Sequence, residues 1–541
     1  MSLQSLGHAI SARLLPTALA ILAAAVLGAI VQTQFNLAAI QALGAPVSLG
    51  TRLQATAHDL SGFMPLYAVV VGAALLCALP VALGLARLIG FGRLPLAVAG
   101  AVAGLAVAFA AANAATPLPT VIAAARTTAG YWAMLATAAA GALVYLALRR
   151  RPYAGPAVLR RGWLPPLLTA GLLAGLVAML LAAGDKEPTP PEQATLRPYV
   201  VETVADGLVH PWGLAFLPDG RMLVTERPGR LRIISADGAL HSEPVANVPE
   251  VLAAGQGGLL DVQVSPDFAR DGWVYLSHAC GTPEANNTCI TRGRLEGHAL
   301  VERERIFQAT PMRATGAHYG SRLAFLPDGT LLATVGDGFE YREQAQNPGN
   351  HLGSIVRLRP DGGVPADNPY AERDAFQPAL YTLGHRNPQG LVVDPASGVV
   401  YAHEHGPRGG DEINRIEAGA NYGWPLAVHG VNYTGELVSP HAELPGYQAP
   451  LHYWRPSIAP SGMALYRGAM FPELQGGLLV AALAARSLRW LPLEGGRVAN
   501  EFRLFPEIDR RLRDVRVGPE GALYLLTDHD PGQVLRIRAK E

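Results

Sequence analysis

Six times along its C-terminal part, the chain repeats a short apolar strand, a Pro-Asp-Gly-like turn and a second apolar strand. The copies run Gly213–Val224 around Pro218-Asp219-Gly220, Leu260–Leu276 around Ser265-Pro266-Asp267, and Arg322–Val335 around Pro327-Asp328-Gly329. They continue at Gly390–Ala402 around Asp394-Pro395, at Gly462–Ala481, and at Val515–Leu526 around Pro519-Glu520-Gly521. Apolar strands bounded by turn residues are hairpins. Hairpins recurring at roughly 50–70 residues predict repeated sheets set radially, hence an all-β six-bladed propeller over residues 199–541. An antiparallel sandwich is the alternative, but sandwiches seldom repeat one hairpin signature so often. The early strand Tyr199–Val204 is placed to complete the last blade, which leaves no long unpaired edge. The long insertions Asp361–Ala379 and Val428–Pro456 should emerge as loops on one face, where rigid scaffolds carry function.

Residues 1–184 are a different polymer, rich in Ala, Leu and Val with scarcely a carboxylate. Apolar runs occupy Leu14–Val31, Leu66–Leu85, Leu94–Ala112, Ala129–Leu148 and Leu164–Ala183, each close to the ~20 residues a bilayer needs. They predict an all-α membrane domain of five transmembrane helices. The first run is not read as a signal peptide, because further spans follow it. Arg87, Arg93, Arg149-Arg150-Arg151 and Arg160-Arg161 mark the loops after the second and fourth spans as cytoplasmic. The amino terminus is then inside, and the fifth span delivers the rest outside. In a bacterium that means an inner-membrane protein with a periplasmic C-terminal domain. Residues 185–198 read as a Pro-rich, semi-stiff linker. The net charge of zero argues against a nucleic-acid partner, since phosphate binding requires a basic excess. Cys77 lies within a span, whereas Cys280 and Cys289 bracket a polar insertion, Gly281–Thr288, and are expected to form a disulfide in an oxidising compartment.

The densest chemistry lies between Tyr381 and Trp424: Gly384-His385-Arg386-Asn387-Pro388-Gln389-Gly390, then Glu404-His405-Gly406-Pro407-Arg408-Gly409-Gly410-Asp411-Glu412, then Asn421-Tyr422-Gly423-Trp424. An Arg-Asn pair, a Gly-Pro turn with free carbonyls and an Asp-Glu pair suit a polyanionic organic cofactor beside a hard cation. The same residue types also populate ordinary turns. Taken in order, these words resemble the soluble aldose sugar dehydrogenases, six-bladed propellers that carry pyrroloquinoline quinone (PQQ) and calcium. The resemblance spans nearly all of the propeller and none of the helical part.

It implies that His318, in Gly316-Ala317-His318-Tyr319-Gly320-Ser321-Arg322-Leu323, is the catalytic base. Imidazole suits that task because its ordinary pKa lies near neutrality. The glucose-oxidising branch has Asp immediately before this His, where Ala317 stands here. Arg386 and Asn387 match the pair at the reacting end of the cofactor, and Gln256 matches a glutamine beside it. Arg511 and Arg513 match two arginines that hold its carboxylates; at alternate positions of an extended segment they point the same way. Ser457 matches a hydroxyl contact to the cofactor. Gly406 and Pro407 match carbonyls that bind the active-site calcium, and Glu412 with the backbone of Tyr422 a second calcium site. Where the glucose-oxidising branch places a lysine, this chain has Ala484, with Arg486 nearby as a conceivable substitute.

The expectation is a membrane-anchored, periplasmic oxidoreductase that oxidises aldoses at C1 to aldonolactones by hydride transfer to PQQ. The fusion to several spans adds the expectation of a membrane quinone as electron acceptor and the lipid bilayer as surroundings. The rival readings are a calcium-dependent propeller lactonase or other hydrolase, and a non-catalytic propeller that binds sugar or protein.

Overall fold

The structure, a computed structural model, describes residues 3–115, 122–150 and 190–540. The chain divides into two compact units, Met1–Lys186 with Val431–Pro440, and Glu187–Gly430 with His441–Glu541.

The first unit contains helices α1 (Leu3–Ala42), α2 (Leu49–Gly62), α3 (Met64–Leu88), α4 (Arg93–Ala115) and α5 (Thr128–Arg150). Four of them, α1, α3, α4 and α5, are long and apolar enough to cross a membrane. Their packing uses small residues: a Cβ on Gly100 or Gly104 would come within 2.7 Å of Ala82 or Ala78, the close approach that replaces hydrophobic driving force between apolar helices. The fifth expected run, Leu164–Ala183, lies outside the described residues, as do Arg151, Arg160 and Arg161. The amphipathic α2 was not anticipated; His58 and Asp59 interrupt any apolar run there, and Ser48 caps its start by accepting from Thr51 N at 3.1 Å. A patch of buried polar side chains belongs to this unit. Asn36 Nδ2 donates to the carbonyls of Leu437 and Val438 at 2.7 and 2.9 Å, and Asp59 Oδ1 accepts from Leu437 N at 3.0 Å. The expected loop Val428–Pro456 is thus not one free excursion: part of it folds with the helices, and His452–Trp454 is a strand.

The second unit is the six-bladed propeller. Its sheets begin with the strands Pro211–Phe216, Leu259–Val264, Leu323–Phe325, Pro388–Val393, Pro460–Leu465 and Leu512–Val517. Each of these touches the next, and Leu512–Val517 touches Pro211–Phe216, so the six close a ring. All six hairpin signatures lie on the first two strands of a sheet. Tyr199–Leu208 pairs antiparallel with Gly532–Ala539 and supplies the outer strand of the last sheet, from Tyr199 opposite Ala539 to Leu208 opposite Gly532. The first sheet accordingly has three strands of its own. Gly281–Thr288 is not an insertion: it is the end of the hairpin formed by Trp273–Thr282 and Ala285–Glu296. Cys280 and Cys289 are bonded across it, with S–S 2.03 Å and Cα atoms 5.8 Å apart.

An ionic cluster sits where the inner strands converge. Arg322 Nη1 lies 3.2 Å from carboxylate oxygens of both Asp261 and Asp514, and Arg516 reaches the same two residues at 2.9 Å. The Arg322 guanidinium also covers the Trp212 ring at 4.1 Å and donates to Gln389 O at 2.8 Å. Gly213 and Gly462 admit these carboxylates: a Cβ on either would approach Asp261 Oδ1 or Asp514 Oδ1 to 2.7 or 2.2 Å.

Candidate active site

His318 stands on the segment between the second and third sheets, in the left-handed region with φ +53°. Non-glycine residues avoid that region, so the surroundings must hold it. Its N–H donates to Gln256 Oε1 at 2.8 Å, and Gly336 lets a neighbouring turn close on its carbonyl, since a Cβ there would lie 2.2 Å from His318 O. The ring is buried, with Nδ1 2.6 Å from Asp337 Oδ1. The second oxygen of Asp337 accepts from Trp424 Nε1 at 2.8 Å. Burial raises the Asp337 carboxyl, but His318 and Arg386 overcome it and hold it below its usual value. A carboxylate can only accept, so Nδ1 carries the proton and Nε2 is the free acceptor. Burial first, then the Arg386 charge, pushes the His318 pKa down to about 4, which keeps the imidazole neutral near pH 7.

Ala317 leaves no carboxylate immediately before His318, and the carboxylate that reaches the ring is that of Asp337, on the turn after the strand Leu331–Val335. The signal was an Asp between glycines, Gly336-Asp337-Gly338, which alone reads as a turn.

Arg386 and Asn387 converge on the same place. Asn387 Oδ1 accepts from Gly320 N at 3.0 Å, two residues beyond His318. Arg386 lies over the Trp424 ring at 5.3 Å and donates through Nη1 to the carbonyls of His405 and Gly406 at 3.0 and 2.6 Å. Gly406 begins a tight loop in which a Cβ would lie 2.3 Å from Gly409 O, and Pro407 follows within it. Asp411 ties the loop together, accepting from Gly406 N, Ala459 N and the Ser457 hydroxyl. Burial pushes its pKa up to about 6 against those bonds. Ser457 is therefore turned to Asp411.

The late arginines share one carboxylate. Arg511 reaches Asp528 Oδ2 at 3.0 Å and Arg513 reaches Oδ1 at 3.1 Å, so alternate positions do face one way. Arg513 Nη1 also lies 3.5 Å from Gln389 Oε1, close behind the Arg386-Asn387 pair. Arg486 does not replace the absent lysine: it is exposed and pairs with Asp509 at 3.3 Å.

Glu412 and Tyr422 line a separate cavity of about 300 Å³ with His429, Glu443 and Tyr447. Burial first, then Glu404 opposite it on the neighbouring strand, pushes the Glu412 carboxyl up to about 8. Tyr422 stacks on His385, centroids 4.6 Å apart, and its hydroxyl donates to Arg415 O at 2.7 Å.

A dianionic or trianionic planar ligand fits this donor set. Arg511 and Arg513 share Asp528, the charges of Arg386 and Arg513 both act on the buried His405, and His405 Nε2 lacks a hydrogen-bond partner among the described residues. The Gly406 carbonyl accepts from Arg386 Nη1, so a calcium ion taking that carbonyl would have to displace the guanidinium. Among the described residues no three His, Cys, Asp or Glu side chains converge as a metal cage.

The family model of glucose/sorbosone dehydrogenases matches residues 208–536. The aldose sugar dehydrogenase YliI of Escherichia coli (strain K12) is 40% identical over 344 residues, covering 62% of this chain and 92% of that protein. A crystal structure of a glucose dehydrogenase aligns with TM-score 0.61 at 46% identity, over 63% of this chain and 100% of the other. The PQQ-bound form of the aldose sugar dehydrogenase from Streptomyces coelicolor aligns with TM-score 0.52 at 30% identity, over 65% and 99%. With its ring of six sheets and a neutral imidazole set beside Arg386, the chain belongs to the glucose/sorbosone dehydrogenase family.

Proposed function

We propose that the protein is a membrane-anchored, periplasmic aldose dehydrogenase that oxidises its sugar at C1 to the aldonolactone with PQQ and calcium. The observation that carries this reading is the buried His318–Asp337 pair beside Arg386, on a propeller of this family. Gln256, Arg386, Asn387, Arg511, Arg513 and, after a rotation of its hydroxyl, Ser457 would hold PQQ. The carbonyls of Gly406 and Pro407 would take one calcium ion, and Glu412 with the Tyr422 carbonyl a second. When bound, PQQ supplies the hydride acceptor and calcium a Lewis acid.

The chain's own residues handle the proton. His318 Nε2 accepts it from the anomeric hydroxyl as the C1 hydrogen leaves with its electron pair. Asp337 keeps Nδ1 protonated and stabilises the imidazolium that forms; Trp424 fixes the second Asp337 oxygen so that the carboxylate does not rotate away. Arg386, itself buried, presents a fixed positive charge where negative charge grows.

The four long apolar helices support anchoring, and their direct fusion to the dehydrogenase supports a membrane quinone as electron acceptor. Adding PQQ and calcium to the apo-protein should produce aldose-dependent dye reduction, and a chelator should remove it. A protein that takes up PQQ and calcium yet reduces no dye with any aldose would refute the reading. Full-length enzyme that reduces soluble dyes but never ubiquinone analogues would remove the quinone alone.

A further inference from the structure

Arg313 is among the largest fully buried side chains in the molecule and is not one of the residues matched to PQQ or calcium above. Its guanidinium donates through Nη1 to Ala317 O at 2.5 Å and through Nη2 to His318 O at 3.0 Å. Nε donates to Asn287 Oδ1 at 3.2 Å, and the plane lies 4.5 Å from the Tyr319 ring centroid. One planar group thus fastens the two carbonyls that flank the α-carbon of His318. That is where φ +53° asks for outside support. Gly338 makes room for it: a Cβ there would lie 2.7 Å from Arg313 Cδ.

The other end of this strut is a built platform. Asn286 and Arg313 exchange both main-chain hydrogen bonds at 2.9 Å. Asn287 Nδ2 donates to Pro311 O at 2.6 Å, Thr288 Oγ1 to Tyr319 O at 2.6 Å, and the Tyr319 hydroxyl to Asn286 Oδ1 at 2.8 Å. Asn286 and Asn287 are fully buried, and the Cys280–Cys289 bond closes the hairpin that carries them.

We propose that Arg313 is a positioning residue for the base, transmitting the geometry of the disulfide-closed hairpin to the backbone of Ala317 and His318 and so fixing where Nε2 points. This rests on the reading of His318 as the general base. The charged groups facing His318 are Asp337, Arg386 and Arg313. Replacing Arg313 by a neutral side chain of similar length therefore removes one of two cations as well as the strut.

The test uses the full-length holoenzyme, with kcat, KM, the pH profile of kcat/KM and the unfolding midpoint measured for Arg313→Met, Arg313→Lys and Asn287→Ala. Arg313→Met should lower kcat by about 100-fold with KM changed by less than about threefold, as expected for a misplaced reacting group. Its acid limb should move to higher pH, and Arg313→Lys, which restores the charge but not the fork, should return the limb without restoring full kcat. Wild-type kcat and an unmoved limb in Arg313→Met would overturn the proposal. So would a loss of kcat matched by an equal loss of folded protein with the limb in place. If Arg313→Met fails to fold, Asn287→Ala decides: reduced kcat at an unchanged unfolding midpoint supports the strut, and wild-type kcat overturns it. A wild-type enzyme inert toward every aldose refutes the dehydrogenase reading itself, whereas an active wild type with indifferent variants removes only the role of Arg313.

Discussion

At the scale of single residues, His318 is defined by its partners more than by its identity. His318→Gln keeps a side chain that accepts from neighbours but cannot take up a proton. It should abolish turnover while PQQ still binds, measured by cofactor absorbance after gel filtration. Asp337→Asn removes the negative charge opposite Nδ1 and releases the tautomer, so kcat should fall by about 100-fold or more. The acid limb of kcat/KM should then move down, because the anion that favours imidazolium is gone, opposite in sign to the shift expected for Arg313→Met. Sequence made His318, Arg386 and Asn387 legible because each lies in a short word with its neighbours. Asp337 and Arg313 were not: Asp337 lies 19 positions beyond His318, on a turn within the third sheet, and Arg313 acts on backbone carbonyls, so nothing in their spacing marks either pairing.

At the scale of elements, the strand-turn-strand signature gave every blade because turn chemistry and apolar alternation are local properties. What remained illegible was non-local: the strand identity of His452–Trp454, the folding of Val431–Pro440 with the helices, and the continuation of the hairpin through Gly281–Thr288. α2 was missed because a short amphipathic helix lacks the run length that identified its longer neighbours. The hairpin that carries Asn286 and Asn287 is closed by a bond spanning a separation of 9 residues. Replacing both Cys280 and Cys289 by Ser should cost about 2.6 kcal/mol of stability by the loop-entropy argument. Calorimetry of the double variant against wild type, with and without reductant, measures this; identical midpoints would show that the bond holds nothing in place.

At the scale of the whole molecule, the ring is fastened at its centre by charge. Arg322→Met would leave Asp261 and Asp514 facing each other with only Arg516 between them. It should destabilise the propeller by about 3–5 kcal/mol, the cost of breaking a buried pair from one side, which denaturant titration reads directly. Acid acts on the ring as well. Burial pushes the pKa values of His278, His318 and His351 down to about 4 and that of His403 to about 3, against 6.5 for free imidazole. On unfolding these four histidines take up protons below pH 6.5, so their contribution to stability is full above that value and drains away as pH falls toward 4. A melting temperature flat between pH 7 and about 4.5 would contradict this. The last sheet has a further consequence of its own. Its outer strand, Tyr199–Leu208, leaves the ribosome long before its partner Gly532–Ala539 exists, so the annulus closes only after the final residues are made. The inner strand of the same sheet carries Arg513 and begins directly after Arg511. A ligand gripped by those guanidiniums would thereby brace the seam, and its arrival should be felt as slower deuterium uptake by the amides of residues 199–208.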